Sequence, residues 1–420
     1  MNILLDAFYD LNYGDDLFVE TITGLFPKCK FYSFLEYYPP RVIEKAEKIA
    51  NLYLLPECGA FLKKNMFDAY ICVGGDVFPD HGDYTKRKAY VNAVKAVNGV
   101  VAFWGFNLFH DYCEETRKDL VELMENADIV APRDEKSAAY LRDLMPGKEI
   151  SAIADLAFLS QWKQAAAADV LGISVRRPNY ATDEDMARYT AKLQEAIDSY
   201  LAGKDSRRVK IFSLSTGSTS DEAVTQQIID GVGEKDRVEH VLYTGDTDFI
   251  KAEIAKCDVM ICTRLHAMIS CVAQNVPFIP VVYEVKMDHI LEEIGYQGEV
   301  VRFLDIGDAK LDLDQAKANV LWDKQAEKAY MAHTEGILAK LRNLLGYDSL
   351  RATVAKADLS GPSCEERENL VKIYQGALDQ RNIDVATLEK ALAEMAAELQ
   401  AIKSTFEYRA AQKVKRMLHR

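Results

Sequence analysis

Short apolar runs alternate with amphipathic stretches along most of the chain. Ile3-Leu4-Leu5 predicts a strand, and residues 15–25, apolar at Leu17, Val19, Ile22 and Leu25, predict a helix. The run 69–73 reads as a strand that ends on Gly74-Gly75. It is followed by a helix over 85–97, a strand over 99–104, a helix over 113–126, a strand over 128–130 and a helix over 135–144. Repeated strand–helix alternation predicts a parallel, doubly wound sheet.

A polar, alanine-rich stretch at 161–169 reads as a crossover, and the pattern then restarts. Strands are expected at 170–175, 209–214, 238–243, 258–262 and 277–283, with helices at 183–201, 220–229, 248–256, 265–274 and 287–294. The predicted architecture is therefore α/β, with two Rossmann-like domains in a GT-B-like arrangement (1–160 and 169–345) and a helical C-terminal extension at 366–420. In such sheets ligands sit in the crevice at the carboxyl ends of the strands. Val385, Leu388, Leu392, Met395, Leu399, Ile402 and Phe406 follow a 3-4 spacing over about three heptads. Residues 385–406 thus read as a short coiled coil, a means of homo-oligomerisation, or a helix docked on the body. Beyond Tyr408 the charges are all positive, at Arg409, Lys413, Lys415, Arg416 and Arg420. This end reads either as a solvated helix terminus or as a basic foot on an anionic membrane face.

Charge and cysteine usage narrow the classes. The net charge of −14 argues against broad nucleic-acid binding, which needs clustered Lys and Arg. A small anionic ligand remains compatible, because a few local cations suffice to hold it. The eight cysteines form no Cys-x-x-Cys pair and mostly sit in apolar runs. They read as buried thiols of a reducing compartment, with no zinc site and no metal expected. No basic segment precedes the first strand, and no apolar run approaches the ~20 residues of a membrane span. A cytoplasmic protein is expected.

Five segments fall at strand ends or helix starts, where an α/β protein builds its site. In Asn12-Tyr13-Gly14-Asp15-Asp16, one aspartate is expected to cap the helix and the other, Asp16, to face the crevice as a base. Gly74-Gly75 permits close approach of backbone to ligand, or merely turns the chain. Arg133 follows a strand and Pro132, placed to clamp an anion, with Asp134 as the next helix's N-cap. Arg176 closes the strand that opens the second unit, either solvent-facing or on an anion. Thr263-Arg264-Leu265-His266 carries the strongest signal. A permanent cation and an imidazole share the start of a helix after a buried strand, where free N–H groups favour anions. Lys286, downstream, is either a surface lysine or a further cation of that crevice.

Taken in order, Asn12-Tyr13-Gly14-Asp15, Gly74-Gly75, Arg133-Asp134 with Ser137, Gly172-Ile173-Ser174-Val175-Arg176, Arg264-Leu265-His266, and Pro277 with Tyr283 and Lys286 resemble polysaccharide pyruvyl transferases over about residues 1–345. The resemblance implies phosphoenolpyruvate as donor and co-substrate, no further cofactor, and a sugar or lipid-linked oligosaccharide as acceptor. The product would be a pyruvate ketal. Carried over by motif, Arg264 and His266 belong to the donor pocket and Arg133 is a second anion clamp. His266, protonated beside the donor, would be the acid. The chain departs from the family in reading Asp76 where a third glycine is usual, and Trp104-Gly105-Phe106-Asn107 where a glycine-rich segment is usual. Asp76 would either repel an anionic donor or face the acceptor. Two rival readings use the same residues. One is a GT-B glycosyltransferase or sugar-nucleotide epimerase, with Glu284 holding a ribose. The other is a non-catalytic relative that binds glycan.

Overall fold

The computed structural model describes residues 1–34, 40–55, 67–108, 111–166, 168–217, 219–318 and 322–350. Two six-stranded sheets organise it. The first is built from β1 (Asn2–Asp6), β2 (Lys30–Phe34), β3 (Leu52–Leu55), β4 (Ala69–Val73), β5 (Val100–Trp104) and β6 (Ile129–Ala131). Its spatial order is β3-β2-β1-β4-β5-β6, and every pair is parallel. The second comprises β7 (Val170–Ser174), β8 (Arg208–Ser213), β9 (Val238–Leu242), β10 (Val259–Cys262), β11 (Phe278–Val282) and β12 (Val301–Arg302), in the order β12-β11-β10-β7-β8-β9. Read from β9, this is the same doubly wound order as the first sheet. The fold is the expected GT-B-like pair of Rossmann-like units.

Helices cover both faces, so the central strands β4, β7 and β11 are buried at every position. That is why they read as continuous apolar runs. β2 and the edge strand β3 beside it carry no element in the periodicity reading. Their alternating or short apolar pattern, and the helix Pro40–Ala46 between them, give a weak signal. The order reverses between β1 and β4 in one sheet and between β7 and β10 in the other. Loops at those two switch points carry most of the candidate residues.

The two sheets are tied together beside the crevice. The loop after β1 forms an antiparallel bridge, Asn12 to Ser215, with the loop after β8. Tyr13 N–H donates to the Leu214 carbonyl at 2.9 Å and Thr216 N–H to that of Leu11 at 3.1 Å. A buried polar cluster adds to this. Lys45 Nζ lies 2.8 Å from Asp16 Oδ2, and the Tyr243 hydroxyl donates to the same carboxylate at 2.5 Å. The long helix Lys324–Leu344 returns to the first sheet. There the Tyr330 hydroxyl donates to the Arg133 carbonyl at 3.1 Å, and Thr334 Oγ1 accepts from Ala154 N–H.

Among the described residues no helix is long and apolar enough to cross a membrane. The heptad seam at 385–406 and the basic end at 408–420 lie outside the described residues.

Candidate active site

A crevice of about 570 Å³ opens between the carboxyl ends of the two sheets. One wall comes from the first sheet: Asn12, Gly14 and Asp15 after β1, Gly75 and Asp76 after β4, and Arg133 after β6. The other comes from the second: Arg176 after β7, Arg264, Leu265 and His266 after β10, and Glu284 and Lys286 after β11. Segments distant in sequence thus converge because parallel strands all end on one side.

The loop after β1 corrects two expectations. Asn12, not an aspartate, caps the first helix (Tyr13–Leu25), its Oδ1 accepting from Gly14 N–H at 3.0 Å. Asp16 does not reach the crevice. It turns into the interface between the sheets and is neutralised by Lys45 and Tyr243. Asp15, its neighbour, faces the crevice. One residue along a helix rotates the side chain by about 100°, which decides which carboxylate meets a ligand. Burial, then the nearby Asp16 charge, push the Asp15 carboxyl up to about 7, with Lys286 and Arg133 opposing. Among the described residues no hydrogen bond or ion pair holds it.

The glycines divide in role. Gly74 takes φ +136° and does not line the crevice, so it serves the turn. A Cβ on Gly75 would stand 2.6 Å from Arg133 Nη2, and one on Gly14 would stand 1.8 Å from His266 Nδ1. Both are close approaches of backbone to side chains of the crevice wall.

Arg133 is buried, and its fork is already engaged. Nη1 donates to Asp155 Oδ2 at 2.9 Å and Nη2 to Asn107 Oδ1 at 2.5 Å. Arg264 is likewise committed, with Nε 3.0 Å from Asp221 Oδ2 and Nη2 on Oδ1. The two arginines expected to clamp an anion are therefore already occupied within the protein, Arg264 by one carboxylate at both oxygens and Arg133 by a carboxylate and an amide oxygen. Lys286 reaches the crevice rather than the open surface, paired with Asp76 at 2.7 Å and Glu284 at 2.6 Å. Asp76 also accepts from Asn107 Nδ2 at 2.7 Å. Burial alone would raise it, but Lys286 and Arg133 bring its pKa down to about 2. Its charge is compensated, so it does not face the crevice as a bare repulsive carboxylate. Trp104 and Phe106 are fully buried, and Phe106 stands edge-on to Phe78. The bulk at that segment enters the core, and only Asn107 of it serves the site.

Among the described residues, Arg176 is the one crevice cation whose guanidinium has no ion pair. Its Nε is buried and without a hydrogen-bond partner. An unpaired, partly desolvated guanidinium is costly unless an anion meets it.

His266 stands on the first turn of the helix Leu265–Gln274, edge-on to Phe18. Its Nδ1 is beside Gly14, and its buried Nε2 lies 3.7 Å from Asp155 Oδ2 without a hydrogen-bond partner. Burial lowers the imidazole pKa below its usual value, against the opposing pull of Asp155. Burial thus favours the neutral imidazole over the protonated His266 expected from the sequence. Asp155 is fully buried. Burial would raise it, yet His266, Arg133 and the Ala157 N–H hold it ionised, at about 2. Asp155, Asp221 and Asn107 escaped the sequence reading. Each follows a strand or precedes a helix, but nothing local pairs it with an arginine more than twenty residues away.

The fold and crevice define an α/β protein of the GT-B-like class, with an anion-competent site at the paired switch points. Its described fold is similar to HepE of Anabaena in complex with UDP-glucose, at 12% identity and a TM-score of 0.51, covering 81% of this chain and 99% of that one. It is also similar to a Listeria monocytogenes protein assigned as a UDP-N-acetylglucosamine 2-epimerase, at 11% identity and a TM-score of 0.52, covering 81% and 95%. At such identity these likenesses speak for the fold alone. No curated protein matches the chain by sequence. The profile of the polysaccharide pyruvyl transferase family matches residues 12–285, well over half of the chain, and the chain belongs to that family.

Proposed function

We propose that the protein transfers the pyruvyl unit of phosphoenolpyruvate onto a sugar of a cell-surface polysaccharide or its lipid-linked precursor, forming a ketal. One observation carries this beyond the family: the unpaired Arg176 guanidinium in a crevice whose other cations are already matched to carboxylates. A ligand with two anionic groups satisfies Arg176 together with the free edge of Arg264, and Lys286 can turn toward it. The volume leaves room for an acceptor beside a three-carbon donor.

The proton roles follow from the two perturbed groups. Asp15, half-protonated near neutral pH and more so beside an anionic donor, supplies the proton to the methylene carbon. The carbon bearing phosphate becomes oxocarbenium-like, and the sugar hydroxyl adds there. Neutral His266 takes the hydroxyl proton at Nδ1, and the Asp155 carboxylate, 3.7 Å beyond Nε2, stabilises the imidazolium so formed. Phosphate leaves with the proton from His266, and a second hydroxyl closes the ketal and returns a proton to Asp15. Asp15 thus replaces Asp16, and acid and base exchange sides relative to the sequence reading.

The test is thermal stabilisation by phosphoenolpyruvate, UDP and nucleotide sugars. A ligand that binds only the native state raises Tm by mass action. Phosphoenolpyruvate is expected to raise it, and Arg176→Ala to abolish the shift. A shift with UDP and none with phosphoenolpyruvate overturns the proposal in favour of nucleotide-sugar chemistry.

Asp15 gives a second expectation. Its folded pKa of about 7 exceeds the ordinary 3.8, so the stability it contributes is complete below about pH 4 and is lost as pH rises through about 7. At one unit per 1.36 kcal/mol the loss is at most about 4 kcal/mol, and less where solvent reaches the half-buried carboxylate. Asp15→Asn should therefore match the wild type near pH 4 and be more stable at pH 8, with transfer activity lost. Denaturant midpoints at the two pH values check it, and an equal midpoint at pH 8 refutes it.

A further inference from the structure

Cys113 departs from the expectation of buried thiols: it is partly exposed, whereas Cys29, Cys72, Cys257, Cys262 and Cys271 are buried. It is the N-cap of the helix Glu114–Met124, where Sγ accepts from Thr116 N–H. The loop after β4 brings two further ligand types to it. One ligand atom each from Asp80, His81 and Cys113 lies within 4.8 Å of the others. His81 Nδ1 is 3.7 Å from Cys113 Sγ, and His81 Nε2 is 3.5 Å from Asp80 Oδ2.

We propose that Asp80, His81 and Cys113 form a binding site for a borderline-soft divalent metal of the Zn²⁺ type, on the outer side of the loop that lines the crevice. The donor set is the first argument. Thiolate, imidazole and carboxylate together match Zn²⁺ or Co²⁺, whereas Mg²⁺ and Ca²⁺ prefer oxygen alone. Spacing is the second. Metal–sulfur and metal–nitrogen bonds of about 2.3 and 2.0–2.1 Å at a tetrahedral angle place sulfur and nitrogen about 3.5 Å apart, close to the separation found. The His81 side chain is largely exposed, so rotation of the ring can bring the remaining ligand into range. The third argument is orientation. Asp80 Oδ1 is held by the N–H groups of His81 and Cys113 at 3.1 and 3.2 Å, which fixes the carboxylate and leaves Oδ2 toward the imidazole. Three protein ligands leave a fourth position for water or an incoming group.

The consequence is mechanical. Pro79 and Val77 of this loop line the crevice, as do Gly75 and Asp76. A metal joining Asp80 and His81 to Cys113 pins that loop to the helix Glu114–Met124. Sequence spacing could not show the site, because Cys113 lies 32 residues beyond His81.

Cobalt titration of the full chain tests it, since Co²⁺ reports thiolate ligation by a charge-transfer band. Expected are saturation at one Co²⁺ per chain with that band, its loss in Cys113→Ser, and at least tenfold weaker binding in His81→Asn. Zn²⁺, and not Mg²⁺, should raise Tm in the wild type but not in Cys113→Ser. A missing band, or a band unchanged by Cys113→Ser, overturns the proposal. None of these readouts depends on transfer activity.

Discussion

Alanine at His266 is expected to lower turnover by about 10²–10⁴-fold, the usual contribution of a positioned proton-transfer group. The neutral, buried imidazole is held between Gly14 on the Nδ1 side and Asp155 beyond Nε2. The residue therefore acts on chemistry more than on donor affinity. Thermal stabilisation by phosphoenolpyruvate should survive in His266→Ala while steady-state transfer collapses. Asp155→Asn supplies the companion measurement. Removing the carboxylate that raises the imidazole pKa should move the basic-form limb of the rate profile to lower pH, an effect a merely structural residue would not produce. Full turnover in His266→Ala would remove His266 from the mechanism.

The second large effect concerns folding. Asp221→Ala is expected to cost about 3–5 kcal/mol, because it leaves a buried guanidinium without its counter-charge. The Asp221 carboxylate is 1% exposed and accepts from Arg264 at both oxygens. It also accepts from the N–H groups of Leu214 and Ser215 at 3.2 and 3.1 Å. Four donors lose an acceptor at once. The double variant Asp221→Leu with Arg264→Met should recover much of that loss, since replacing both partners by apolar groups is often near neutral. Denaturant unfolding followed by fluorescence checks both. A single variant as stable as the wild type would show that solvent reaches Arg264 and the pair is not truly buried.

These variants also separate what held from what shifted. Motif position found the neighbourhood: Arg133, Arg176, Arg264, His266 and Lys286 all reach one crevice. Pairing was not legible. Arg264 and Arg176 look alike as arginines after strands, yet one fork is closed by Asp221 and the other is open. Asp15 and Asp16 are adjacent and chemically identical in sequence. Only the packing of Lys45 and Tyr243 against one helix face makes Asp16 a structural partner and leaves Asp15 to the crevice.

What the sequence by itself determined is the doubly wound fold and the places where chemistry can occur. Runs such as 69–73, 170–174 and 259–262 must be buried on both faces, and parallel pairing then forces their carboxyl-end loops to one side. What only the tertiary structure decided is charge state and partnership. These depend on distance and desolvation across segments tens to hundreds of residues apart: Arg133 with Asp155, Asp16 with Tyr243, Asp76 with Lys286, His81 with Cys113. Local periodicity fixes which face of an element is apolar. It carries no information on which polar group from elsewhere in the chain arrives opposite a given side chain, and in a low-dielectric crevice that arrival sets the pKa and the ligand.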